Sequence, residues 1–115
     1  IADKSFRFAG DTGYNPHHFI EIGERFGGVD LALIPIGAYH PRSFLKEQHV
    51  DPEQAIQIHK DVRAKQSIGM HWGTFQLSAE AIDEPAQLID QARREGKISK
   101  GEFTTIAIGE TRQLP

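Results

Sequence analysis

Cysteine is absent from these 115 residues, which excludes disulfides, thiolate metal sites and a cysteine nucleophile together. The same absence leaves the compartment undecided. Long apolar runs are missing too, and no stretch approaches the ~20 residues that a membrane-spanning helix needs. Basic runs are missing as well. Thirteen Lys+Arg against sixteen Asp+Glu leave a net charge of −3, so no segment offers a track for a phosphate backbone, and nucleic acid is not an expected partner. What is present is ordinary for a folded chain. Charged residues at 25% and hydrophobic residues at 38% exclude a disordered or coiled-coil polypeptide. The length suits about one domain.

The periodicity alternates between strand and helix. Residues 5–9 alternate polar and apolar with a period of two, and Gly10-Asp11-Thr12-Gly13 ends that strand with turn chemistry. Asn15 and Pro16 form a helix start, with Phe19, Ile22 and Phe26 on one face and Gly27-Gly28 as the stop. Residues 30–34 form a short apolar run, expected as a strand covered on both faces. A long loop over 38–50 then leads to a second helix, capped by Asp51, begun by Pro52 and supported by Gln54. Its inward stripe is Ala55, Ile58, His59 and Val62. Further expectations are a strand over 67–71, a helix from near Pro85 with Leu88, Ile89 and Ala92 inward, and a β-branched strand over 104–108. This is α/β layering in one domain.

In such sheets, ligands bind beyond the carboxyl ends of the strands. Three strand ends carry unusual residues: Asp11 in the first, Tyr39 and His40 in the second, His71 and Trp72 in the third. An imidazole and a carboxylate from neighbouring strand ends suit a zinc-type metal. Plainer readings stand beside this one. An Asp after a strand also serves as a turn former or cap, and a His closing an apolar strand also serves as a hydrogen-bonded core residue. Trp72 reads equally as a site wall or as core. His59, on an inward stripe, is expected to pack, and His17 and His18 to lie on the surface.

Four motifs together resemble a known family: Phe8-Ala9-Gly10-Asp11-Thr12-Gly13-Tyr14, then residues 30–39 ending in Pro35-Ile36-Gly37-Ala38-Tyr39, then Gln48-His49-Val50-Asp51-Pro52-Glu53, then Met70-His71-Trp72-Gly73-Thr74-Phe75. In order and spacing they resemble the metallo-β-lactamase fold. Within it they resemble the branch of N-acylphosphatidylethanolamine-hydrolysing phospholipase D and its bacterial RomA-type relatives. The resemblance implies half of an αββα sandwich and a hydrolase with two zinc ions, other divalent metals being admissible. It implies that Asp11 bridges the two metals and that His71 binds one of them. It places His49 beside the active site, for phosphate contact or for proton donation to the leaving group; a loop His bonded to backbone is the alternative. Tyr39, His40 and Arg42 become substrate-binding candidates, the last two for an anionic head group. His40 stands where relatives often carry an acidic residue.

The family's HxHxDH run is absent from these residues, as is a further ligand His expected ahead of Asp11. The expectation is therefore that residues 1–115 are the C-terminal part of one domain, whose N-terminal half lies outside the chain. The expected activity of the intact protein is that of a phosphodiesterase of phospholipase D type using a metal-bound hydroxide. The rival readings are a non-catalytic remnant or interaction domain, and a hydrolase of the same fold acting on a lactone or other ester. The partners implied are the missing half and a lipid-like phosphodiester or other ester. Peripheral membrane contact and self-association through uncovered sheet surface are further implied contacts.

Overall fold

The computed structural model describes residues 3–114. Its elements run β1 (Phe6–Phe8), α1 (Pro16–Phe26), β2 (Val29–Pro35), α2 (Arg42–Leu45), α3 (Pro52–Asp61), β3 (Ala64–Met70), α4 (Glu84–Arg94) and β4 (Phe103–Thr104). The strands form one sheet in the order β1-β2-β3-β4, every pair parallel. Each parallel step needs a crossover, and the preferred hand of that crossover places helices on the same face when strands are added in one direction. Accordingly α3 lies against β2 and β3, with α1 and α4 packed on its two sides.

The helix starts follow the local chemistry. Asn15 accepts hydrogen bonds from the N–H groups of His17 and His18, both at 3.0 Å, and Gly27 ends α1 in a left-handed conformation. Asp51 and Gln54 form a reciprocal capping box at α3. Gly23 lets α1 approach α3 closely, because a Cβ there would stand 2.1 Å from the Asp61 carbonyl oxygen. His17 and His18 are exposed, as expected.

Several boundaries differ from expectation, each for a physical reason. The loop over 38–50 contains the short helix α2. β3 begins at Ala64, because Ala64 and Gln66 pair with Val29 and Leu31 although hydrophobicity does not mark them. β4 is Phe103–Thr104 instead of 104–108: Phe103 is fully buried and pairs with Ser67, whereas the ladder stops at Thr104 and Ile108 is 85% exposed. Phe26 ends α1 exposed and does not join Phe19 and Ile22 inside. The helices cover one face of β2 only. Ala32 and Ile34 are buried beneath them, while on the opposite face the row Phe8–Leu33–Ile68 is exposed or half-buried.

His59 packs, as its place on the stripe suggests. It is 1% exposed, with Nδ1 2.7 Å from the Ser67 hydroxyl and Nε2 2.8 Å from the Glu102 carboxylate, and it ties α3 to β3 and to the turn before β4. No described helix is long and apolar enough to cross a membrane.

The hydrogen bond from His59 is the main cause holding the Glu102 carboxyl below its ordinary range, and the Ser99 N–H adds to it against burial. A carboxyl depressed on folding stabilises above its unfolded value of ~4.3 and loses that contribution as pH falls through the lower folded value. Urea midpoints of wild type and Glu102→Gln should therefore differ at pH 7 and converge on acidification below about pH 4. A gap that persists unchanged at acid pH would show that Glu102 acts by packing alone.

Candidate metal centre

Parallel pairing brings the carboxyl ends of β1, β2 and β3 to one edge, and the site is assembled there. Asp11 follows β1 and is largely exposed, and His71 follows β3 with Nε2 3.3 Å from Asp11 Oδ1. β3 ends at Met70, and His71 turns at φ +61, a left-handed conformation that costs a non-glycine residue energy and concentrates at functional sites. Gly37, just past β2, backs onto this turn. A Cβ at Gly37 would stand 2.1 Å from the His71 carbonyl oxygen, so only glycine fits.

His49 comes from the loop after α2 and stacks its ring on that of His71, with centroids 5.4 Å apart and planes 17° apart. One donor atom from each of Asp11, His49 and His71 lies within 4.8 Å of the others. Nδ1 of His49 and Nδ1 of His71 are both buried without a hydrogen-bond partner. Orphaned buried nitrogens are rare in folded proteins and ask for an explanation. One carboxylate oxygen and two imidazoles are a donor set that suits a zinc-type divalent cation. The residues present thus fit a metal.

The remaining candidates are placed differently. Tyr39 is buried, and its hydroxyl donates to Glu84 at 2.7 Å. Burial first, then the bond to Glu84, pushes its phenol far above the ordinary value, so it stays a protonated donor. His40 is half exposed, its Nε2 4.0 Å from Glu84. Arg42 donates to the backbone carbonyls of Tyr39 and His49 and to the Gln54 side chain, within its own loop. Trp72 lies between the core and a cleft. It packs against the core, its indole N–H donates to the Gly69 carbonyl at 3.2 Å, and it helps line a cleft of about 280 Å³ with His71, Phe75 and Leu77.

Sequence reasoning missed Glu80 and Glu84. Glu80 is 8% exposed, and its carboxylate accepts the N–H groups of Ala38, Tyr39 and His40 at 3.0, 3.1 and 2.8 Å. Burial pushes its carboxyl up, but the Ser78 hydroxyl and the backbone N–H groups outweigh that, and the net direction is down. The carboxylate therefore remains ionised and anchors the loop that starts beside Gly37. No periodicity or spacing signals such a contact across some forty residues; the only cue is an acidic residue inside a turn-rich stretch.

Residues 1–72 match the family described as beta-lactamase superfamily domain. An N-acyl-phosphatidylethanolamine-hydrolyzing phospholipase D 1 of Caenorhabditis elegans is 44% identical over 113 residues, covering 94% of this chain and 31% of that protein. The mitochondrial protein of that description from Saccharomyces cerevisiae is 46% identical over 83 residues, covering 71% and 18%. Among solved structures, Igni18, a metallo hydrolase of the archaeon Ignicoccus hospitalis, superposes with a TM-score of 0.53 at 27% identity, covering 86% of this chain and 35% of that one. The chain thus spans about a third or less of the length of these proteins.

Removing the Glu80 carboxylate strands three backbone donors, two of them in buried residues. Glu80→Ala should cost about 3 kcal/mol by urea denaturation, since bonds to charged groups contribute ~1.5–3 kcal/mol each and water recovers part of the loss. His17→Ala, at an exposed helix start, should stay within ~0.5 kcal/mol of wild type. Equal small effects would mean that water satisfies the loop as well as the carboxylate does.

Proposed function

The chain belongs to the beta-lactamase superfamily, and from that membership we propose that it forms the C-terminal part of a metal-dependent hydrolase, a phosphodiesterase of the phospholipase D type. One observation carries this reading: a donor atom from each of Asp11, His49 and His71 lies within 4.8 Å of the others. The phospholipase D relatives at 44% and 46% identity support a lipid-like phosphodiester as substrate. Two zinc ions are the proposed cofactors, with Asp11 and His71 among their ligands. Further ligands come from an N-terminal half, which would also cover the open sheet face at Phe8, Leu33 and Ile68.

A bound divalent metal supplies Lewis-acid stabilisation of developing phosphoryl charge and activates water near neutral pH. The chain's own residues supply the rest. Asp11 contributes negative charge that lets cations sit close together. His71, held in its left-handed turn by the packing of Gly37, keeps its ring toward Asp11. His49 stands next to both, where it contacts the phosphoryl group or gives a proton to the departing oxygen. Tyr39 and half-exposed His40 lie along the same strand end, and His40 faces the substrate's anionic head group. The cleft at Trp72, Phe75 and Leu77 accepts an apolar part of the substrate and keeps water from it.

The reading is tested in the intact protein. Asp11→Asn and His71→Ala should each lower metal content by elemental analysis and abolish phosphodiester hydrolysis, while His17→Ala changes neither. Full metal stoichiometry in both site variants would remove Asp11 and His71 from the ligand list. Hydrolysis of a lactone or carboxylic ester, without phosphodiester turnover, would move the activity elsewhere in the superfamily.

If His49 stands beside the metal and not on it, His49→Ala should leave metal content near normal and cut turnover by ~10²–10⁴-fold, the usual cost of removing a general acid, whereas a loss of metal would make it a third ligand. The loss should shrink with a nitrophenyl phosphodiester, whose leaving group departs without a proton. A similar loss for both substrates, mostly in KM, would assign His49 to phosphate binding instead. Unchanged kinetics would leave it a structural loop residue.

A further inference from the structure

We infer that Arg42 is a positioning residue that acts through His49, and is not a receptor for the substrate's anionic head group; this rests on the hydrolase reading above. Each nitrogen of its guanidinium already faces an acceptor within the protein. Nη1 donates to the His49 carbonyl at 2.9 Å and to the Tyr39 carbonyl at 3.4 Å. Nη2 donates to Gln54 Oε1 at 2.7 Å, and Nε stands 3.5 Å from the Asp51 carboxylate. Asp51 therefore answers the positive charge, and a phosphate would have to compete with a carboxylate held in the same loop. A free anion receptor would instead leave part of its fork open to the ligand.

The fork joins three points of one stretch, from Tyr39 to Gln54. Tyr39 opens the loop after β2, His49 closes it, and Gln54 belongs to the capping box of α3. The backbone of His49 is held on both sides, because its N–H donates to the Leu45 carbonyl at 2.9 Å while its carbonyl accepts from Arg42. With the main chain fixed in this way, the imidazole has a defined start point for its stack on His71. A lysine ammonium carries the same charge but lacks the planar fork needed to reach these acceptors together.

The test is a double-mutant cycle in the intact, metal-loaded protein, read with a phosphodiester and with an uncharged ester. Arg42→Lys should lower kcat by about 10- to 100-fold, the scale of a small misplacement of a catalytic group, with KM and metal content unchanged. Arg42→Lys added to His49→Ala should cost nothing further, since the group it positions is already gone. Arg42→Lys should also shift the His49 imidazole signals in an NMR spectrum of the protein and leave those of His17 in place. That readout decides the matter even if no phosphodiester is turned over, an outcome that would sink the hydrolase reading alone. Gln54→Ala, which removes one acceptor and keeps the arginine, should give a smaller loss in the same direction. The inference is overturned if Arg42→Lys retains wild-type kcat, if the loss lies in KM and only for the charged substrate, or if the two substitutions multiply.

Discussion

The parallel pairing of β2 with β3 is the constraint on which the site depends. Six registered pairs, from Val29–Ala64 to Pro35–Met70, bring both strands to an end at the same height. The chain leaves the two ends as Ile36-Gly37 and His71-Trp72, so the two exits must pass each other within van der Waals reach. Gly37 makes that passage possible, because any side chain there would meet the His71 carbonyl. Once the exits are packed, His71 is left with a left-handed backbone and its ring near Asp11 at the end of β1. A shift in register would separate these groups even if every one of them remained in the sequence.

Around that junction, charged side chains hold the backbone of the loop, while Ala38, Tyr39 and Val50 bury its ends. In the stretch from Gly37 to Val50 only the short helix α2 is regular, and loops of this length need other partners for their backbone groups. Glu80 accepts three successive N–H groups at the start, and Arg42 donates to carbonyls at both ends. The two ions have opposite signs and serve opposite backbone groups, a carboxylate for donors and a guanidinium for acceptors. Charged hydrogen bonds are stronger than neutral ones, and they hold the backbone between the buried anchors Tyr39 and Val50. The helix layer behind provides the rigid base, with α3 packed between its neighbours and His59 linking it to β3 and Glu102.

Much of this arrangement was legible in the residues themselves. Local signals work where the cause is local: Asn15-Pro16 and Asp51-Pro52-Glu53-Gln54 specify helix starts, and the stripe Ala55, Ile58, His59, Val62 specifies a buried face. Turn residues after strands marked the edge where the candidate residues gather, and the four motifs pointed to the superfamily that the comparisons support. Less legible were β3's polar first half and the early end of β4, because strand extent depends on which neighbour is available for pairing. The helix α2 was hidden in a segment without an apolar stripe.

By itself, then, the sequence determined the order of strands and long helices, the helix caps, the lack of any thiol chemistry and two candidate metal ligands, Asp11 and His71. It did so because each of these depends on neighbours a few positions away or on residue type alone. Tertiary structure decided which candidates meet. It put His49 against His71, turned Arg42 away from the cleft and toward its own loop, and recruited Glu80 across some forty residues to hold the backbone of Ala38, Tyr39 and His40. The physical reason is distance along the chain. Hydrogen bonds and ring contacts act over a few ångströms, and only the folded sheet brings residues 11, 37, 49, 71 and 80 within that range.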